Sequence, residues 1–191
     1  MPIPRLTPHN TALLVIDVQE RLLPEIVNAP RLITRVEFLL RVAGHLGLPV
    51  AVTEQYVKGL GRSTTSIRDA APSETLVVEK TRFSGCVDSI RDWLESAQRP
   101  NVLIAGVEAH VCVLQTALDL VWGGWRPFWV EDAISAGEAD QIEPARRRAE
   151  HAGCTTTGCV SATYELLQDA THPAFKACLQ EVKSIRGDGR S

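Results

Sequence analysis

The sequence lacks several signals that would indicate a membrane or nucleotide function directly. No stretch of its 191 residues approaches the ~20 apolar residues that a membrane-spanning helix needs. The glycine patterns that bind dinucleotides (G-x-G-x-x-G) or nucleotide phosphates (G-x-x-x-x-G-K-[ST]) are absent. A formal net charge of −3, with Lys and Arg spread along the chain, offers no basic patch for nucleic acid. We therefore expect no membrane and no nucleic-acid partner.

Signals for export and for disulfide bonding are also lacking. The N-terminal segment MPIPRLTPHN has no apolar signal core. The five cysteines are odd in number and contain no C-x-x-C pair. We therefore expect a cytoplasmic protein in a reducing compartment. Four of the thiols are interpreted as core or near-surface side chains: Cys86, Cys154, Cys159 and Cys178.

No metal-ligand spacing is present among the histidines. Structural and catalytic metal sites place their ligands in short, recognisable spacings. Here the histidines are scattered along the chain, at His9, His45, His110, His151 and His172. We therefore expect no metal ion and no cofactor.

The length and the 45% hydrophobic, 23% charged composition fit one globular domain. We expect it to span residues 1–191, with a core over 10–186 and a frayed polar tail at 187–191. Strands are predicted at 11–17, 48–53, 75–80, 101–106, 126–132 and 154–158. Helical segments alternate with them, around 32–46, 87–97, 110–122, from 139, and 175–185. This alternation predicts an α/β fold, a three-layer, doubly wound parallel sheet with helices on both faces. Residues 54–73 are interpreted as a long functional loop.

Three chemically distinct side chains follow the predicted strands. Asp17 ends the first strand, Lys80 ends the third, and Cys112 lies in the first helical turn after the fourth. Each residue alone has an ordinary explanation: a loop cap, a solvated cation or a core thiol. Sites in open α/β sheets form at the carboxyl ends of the strands. Because all three residues are expected at this same end of the sheet, the pattern favours a single site.

The chemistry of these three groups is complementary. A thiol attacks only as its thiolate. A helix N-terminus and a nearby ammonium are expected to lower its pKa. A carboxylate can accept the thiol proton, and free backbone N–H groups can stabilise an oxyanion. The three residues thus predict a cysteine nucleophile.

Four motifs in order carry a family resemblance. They are ALLVIDVQERL, EKTRFSGC, IAGVEAHVCVLQTALDL and VEDAISA. Over residues 10–170 the sequence resembles the isochorismatase-like cysteine hydrolases, which include nicotinamidases and other small amidases. The resemblance implies the triad Asp17, Lys80 and Cys112 and a cis peptide bond between Val107 and Glu108. It implies an oxyanion hole from the backbone N–H groups of Glu108 and Cys112. We expect a six-stranded sheet in the order 3-2-1-4-5-6.

One segment departs from the metal-binding nicotinamidases of that family. They carry an Asp and His cluster after the second strand, where this chain reads TEQYVKGLGRS. The absence of both residue types there favours the family's less-characterised hydrolases. Cys112 argues against the vinyl-ether cleavage of true isochorismatases, which do not use a cysteine nucleophile.

Further residues are candidates for contact with a substrate. Gln19 either hydrogen-bonds in the site or starts a helix, and Phe83 either forms an apolar wall or packs in the core. Tyr56 and Arg62 are expected to reach the substrate from the long loop. His110 is disfavoured as the base because residues two apart on a helix do not face each other.

The sequence therefore predicts a hydrolase that cleaves a small amide or related C–N bond through a Cys thioester. Asp17 accepts the thiol proton, and Lys80 holds Asp17 and stabilises negative charge. Three alternatives stay open: hydrolysis of another substrate such as an ester, a redox function, and a non-catalytic interaction platform. The resemblance also implies a small-molecule substrate and a homo-oligomer. The WGGW segment at 122–125 is either an exposed contact or part of the core.

Overall fold

A computed structural model describes residues 3–187. Residues 188–191 of the predicted polar tail lie outside the described residues. None of the described helices is long and apolar enough to cross a membrane.

Six parallel strands form one sheet, in the order β3-β2-β1-β4-β5-β6. The predicted fold class and strand order are therefore confirmed. β1 and β4 are buried at every residue, which explains why their sequences are continuous apolar runs. The strands are β1 Thr11–Ile16, β2 Val50–Gln55, β3 Leu76–Lys80, β4 Asn101–Gly106, β5 Arg126–Ile134 and β6 Thr155–Thr157.

Helices cover both faces of this sheet. They are α1 Ala29–Leu46, α2 Val57–Leu60, α3 Thr65–Ala70, α4 Asp88–Ala97, α5 Leu114–Trp122, α6 Ala139–Ala152, α7 Cys159–Leu167 and α8 Phe175–Gly187. A 3₁₀ turn at Leu23–Glu25 follows β1, and a π-helical turn at Ala109–Val113 precedes α5. Along β1, Leu13 and Val15 join the core beneath α1, α3, α7 and α8. Leu14 and Ile16 join the core beneath α4, α5 and α6. The alternation of β side chains thus divides the interior into two layers.

The interpretation of residues 54–73 as a loop is wrong. β2 continues to Gln55, and α2 and α3 fill most of the remaining segment. Glu54 and Gln55 are buried, and they pair with Glu79 and Lys80 of β3. The hydrophobicity pattern missed this extension of β2 because the two added residues are polar although they are buried. α7 was also not predicted.

The WGGW segment exposes one indole ring. The Trp122 side chain is 93% exposed at the end of α5. Trp125, the second ring of the segment, is partly buried and packs against the core beneath α4, α5 and α6. Each interpretation therefore fits one of the two rings, and a homo-oligomer stays a prediction.

Gly106 closes the gap between β1 and β4. Its φ is +120°, and a Cβ at this position would lie 2.0 Å from the carbonyl oxygen of Ile16. Only glycine allows so close an approach of the two strand ends. Asp17 follows Ile16 directly, so this contact sits beside the predicted site.

We predict that Gly106→Ala destabilises the protein much more than Gly124→Ala. Gly124 also has a positive φ, +87°, but apart from its own chain neighbours no described residue has an atom within 4 Å of its Cβ position. The control should therefore lose only about 1–2 kcal/mol through left-handed strain. Gly106→Ala adds a backbone clash and should lose about 3 kcal/mol or more. Urea unfolding of both variants measures the difference, and equal losses would contradict the close-packing argument.

Candidate functional site

Asp17 follows β1 in a left-handed conformation, with φ of +54°. This region is uncommon for a residue with a Cβ, so other contacts must hold it. The backbone N–H of Asp17 donates to Thr53 O at 3.1 Å, and Thr53 Oγ1 donates to Asp17 Oδ1 at 2.7 Å. Both contacts come from β2, the neighbouring strand. β2 therefore fixes the Asp17 carboxylate.

Lys80, the last residue of β3, forms an ion pair with Asp17. Its Nζ lies 2.6 Å from Asp17 Oδ2, and both side chains are 0% exposed. The ammonium also donates to Gln55 Oε1 at 2.7 Å and to the carbonyls of Phe83 and Arg82 at 3.0 and 3.2 Å. An ammonium has three N–H donors. The protein itself therefore satisfies Lys80, and no donor is left for a bound molecule.

Cys112 lies on the π-helical turn that follows β4 and is 6% exposed. Its carbonyl accepts a hydrogen bond from Thr116 Oγ1 at 2.6 Å. The same hydroxyl accepts the Gly85 N–H at 2.7 Å. Thr116 thus ties the cysteine turn to the segment after Lys80. The structure brings Asp17, Lys80 and Cys112 together in one buried cluster.

The Lys80 ammonium lowers the pKa of the Cys112 thiol as expected, but the net pKa is raised and not lowered. The pKa of the Cys112 thiol is raised to about 12, first by burial and second by the Asp17 charge. Lys80 lowers it, the hydrogen bond from the thiol to Asp17 raises it, and the Glu108 backbone N–H lowers it. Desolvation of a thiolate outweighs the single ammonium because that ammonium is already neutralised by Asp17. The resting Cys112 is therefore a thiol at neutral pH.

Glu108 supports the cysteine turn through both its backbone and its side chain. The Val107–Glu108 peptide bond is cis, at the position that the resemblance implies. The Glu108 carbonyl accepts the Val113 N–H at 3.1 Å. Its carboxylate Oε2 accepts the Gly137 N–H at 2.8 Å. The expected oxyanion hole, the N–H groups of Glu108 and Cys112, stays a prediction.

Gln19 does not fit the expected substrate contact. Its Nε2 donates to the carbonyls of Gln55 and Gly61 at 2.9 and 2.7 Å, and its Oε1 accepts the Gln55 N–H at 2.7 Å. Both amide hydrogens and the carbonyl are thus paired in the buried interior. Gln19 extends the pairing of β2 rather than facing a ligand.

The remaining candidates lie around the cluster. The Phe83 and Tyr56 side chains are 55% and 57% exposed, so Phe83 is not a core aromatic. Tyr56 lines a surface groove of about 370 Å³ beside Lys80. Arg62 Nη1 pairs with Glu54 and Glu79 at 2.8 and 2.6 Å. Substrate contacts by Phe83 and Tyr56 stay predictions.

His110 contacts a carboxylate other than Asp17. Its Nε2 lies 3.2 Å from Glu138 Oε2. This contact turns the imidazole toward α6 and the segment before it, so it does not support His110 as the base for Cys112. Within residues 3–187, no group of three or more His, Cys, Asp or Glu side chains is placed to hold a metal ion.

Thr53 and Gln55 are the residues that the sequence analysis missed. They alternate on β2, and Thr53 contacts Asp17 while Gln55 contacts Lys80. A signal was present: both are polar residues at the end of an apolar strand that adjoins β1 in the expected order. The predicted end of β2 at residue 53 left Gln55 in the loop.

Comparisons with known proteins show the family of this chain. The family model described as "Isochorismatase domain" matches residues 11–159. Isochorismatase family protein 1B of Dictyostelium discoideum is 30% identical over 188 residues, covering 96% of this chain and 91% of the relative. The secreted isochorismatase effector Isc1 of Phytophthora sojae is 35% identical over 184 residues, covering 94% and 87%.

A solved structure is also closely similar. The MAR1 ribonuclease from Caenorhabditis elegans superposes with a TM-score of 0.92 at 35% identity, covering 94% of this chain and 93% of that one. Because one relative is a secreted effector, the expected cytoplasmic location of this chain stays a prediction.

We predict that the alkylation rate of Cys112 rises steadily with pH in the substrate-free protein. A pKa of about 12 keeps the thiolate fraction small, so the rate should rise about tenfold per pH unit between pH 7 and 10. Iodoacetamide labelling followed by peptide mass spectrometry measures the rate at each pH. A plateau below pH 8 would show a thiolate at rest.

Asp17→Asn should increase this alkylation rate at pH 8. The substitution removes the carboxylate charge that raises the Cys112 pKa, while the Lys80 charge that lowers it remains. The same labelling experiment compares the variant with the wild-type protein. A slower rate would mean that Asp17 promotes thiolate formation in the resting state.

Proposed function

Because the chain belongs to the isochorismatase family, we propose that it hydrolyses a small amide or related C–N bond through a thioester on Cys112. The observation that carries this proposal is the buried Asp17–Lys80 ion pair beside the Cys112 thiol. A carboxylate held next to a thiol is placed to accept its proton. Packing alone does not explain this arrangement, because burying an ion pair costs free energy of folding.

The first half of the reaction forms the thioester. Asp17 accepts the proton of Cys112 as the sulfur attacks the carbonyl carbon, and the C–S bond forms while the carbonyl electrons move to oxygen. The N–H groups of Glu108 and Cys112 stabilise this oxyanion. The tetrahedral intermediate then collapses, the C–N bond breaks, and Asp17 returns its proton to the leaving nitrogen.

The second half hydrolyses the thioester. Asp17 accepts a proton from water as the water oxygen attacks the thioester carbon. The C–S bond then breaks, the acid product leaves, and the sulfur regains a proton from Asp17. A resting thiol suits this cycle, because the proton that Asp17 removes is the one that the leaving nitrogen requires.

In this cycle Lys80 acts as a fixed charge. All of its N–H groups are engaged by the protein, so it does not contact the oxyanion. Its charge balances Asp17 and opposes the effect of that carboxylate on the thiol. This role refines the expectation that Lys80 stabilises negative charge in the site.

RNA cleavage is a second candidate, because the 35% identical structural neighbour is a ribonuclease. A carboxylate base could activate a ribose hydroxyl without any thiol. The formal net charge of −3 is unfavourable for binding a polyanion. The two candidates differ in whether they need Cys112.

We predict that Cys112→Ala abolishes amide hydrolysis, with a loss of about 10³-fold or more. Wild-type protein should also accumulate an acyl adduct on Cys112 in mass spectra when it is quenched during turnover. Cys178→Ala is the matched control: this cysteine is also buried, but it lies on α8. The control should keep its rate. A screen of small amides and matched esters supplies the substrates.

The outcomes separate the alternatives. Full amide turnover by Cys112→Ala would end the thioester mechanism. RNA cleavage that survives in Cys112→Ala and is lost in Asp17→Asn would favour the ribonuclease candidate. Turnover of esters alone would leave Cys112 as the proposed nucleophile and make esters the substrate class. No turnover and no adduct with any substrate would favour the interaction platform.

A further inference from the structure

Gln55 is the neutral partner of the buried ion pair. The residue is 9% exposed, its Oε1 accepts the Lys80 ammonium at 2.7 Å, and its Nε2 donates to Thr81 O at 2.8 Å. Its backbone N–H and carbonyl are both bound by the Gln19 side chain. Every polar group of Gln55 is therefore paired inside the protein, and its side chain has one orientation.

An amide suits this position better than a carboxylate. Among residues 3–187, Asp17 is the only anionic partner of Lys80, and the other acceptors are the Gln55 amide and the carbonyls of Arg82 and Phe83. A buried ammonium needs acceptors to offset its lost hydration. The amide oxygen supplies one without adding negative charge beside Cys112. The cluster thus keeps one cation and one anion.

We propose that Gln55 is a positioning residue that holds the Lys80 ammonium against Asp17, and thereby sets the reactivity of Cys112. The inference rests on the proposed roles of Asp17, Lys80 and Cys112. Lys80 favours the Cys112 thiolate, so moving the ammonium away should make the thiol harder to ionise. Gln55 acts on Cys112 through Lys80, its hydrogen-bond partner.

A purely structural role for Gln55 leads to the opposite result. Burial is the largest cause of the raised Cys112 pKa. If Gln55 only packed the interior, its substitution would loosen the cluster, admit water and make the thiol easier to ionise. The sign of the change in Cys112 reactivity therefore distinguishes the two roles, and it requires no substrate.

The test compares the alkylation rate of Cys112 at pH 9 in wild-type protein and in Gln55→Met. Methionine has a similar length and shape but is a much weaker acceptor. We expect the rate to fall about threefold or more, equivalent to half a pKa unit. Gln180→Met, on the exposed surface of α8, should leave the rate unchanged. An equal or faster rate in a folded Gln55→Met variant would overturn the proposal.

Gln55→Glu provides a second variant. It keeps an acceptor for Lys80 but adds a negative charge near the thiol, so it should also slow alkylation of Cys112. If neither variant folds, NMR of the wild-type protein decides: NOEs are expected between the Lys80 and Gln55 side chains. Absence of these NOEs would overturn the proposal. Amide turnover is measured separately, so its absence would remove the proposed function without deciding the role of Gln55.

Discussion

The buried ion pair between Asp17 and Lys80 is the interaction on which the rest of the site depends. Removing two charges from water costs several kcal/mol for each ion, and only good geometry with further hydrogen bonds offsets that cost. Here the Nζ–Oδ2 distance is 2.6 Å and both side chains are fully buried. Thr53 donates to the carboxylate, and Gln55 accepts from the ammonium. The ion pair therefore depends on these surrounding hydrogen bonds to offset its cost of burial.

The topology of the sheet brings these groups together. β1 lies between β2 and β4, so Asp17 at its end has the polar end of β2 on one side and the cysteine turn on the other. The close approach at Gly106 allows the ends of β1 and β4 to meet. Lys80 reaches Asp17 from β3, across β2. A base, a cation and a thiol from three separate segments thus meet at the carboxyl end of the sheet.

The sequence predicted the sheet and the cluster more reliably than it predicted the chemistry. Apolar runs locate the strand ends, and strand ends locate Asp17, Lys80 and Cys112. Thr53 and Gln55 could not be assigned in this way, because their partners depend on the register between neighbouring strands. The direction of the thiol pKa was predicted wrongly for a similar reason. Burial decides it, and no pattern of residue types measures how completely packing excludes water from one sulfur.

A double-mutant cycle on the free energy of unfolding tests the central claim most directly. Asp17→Asn and Lys80→Met each leave one buried charge without its partner, which should cost roughly 3–5 kcal/mol. The double variant removes both charges, so it should lose less than the sum of the single losses by about 2 kcal/mol or more. Losses that simply add would contradict the account, because they would mean that Asp17 and Lys80 do not depend on each other.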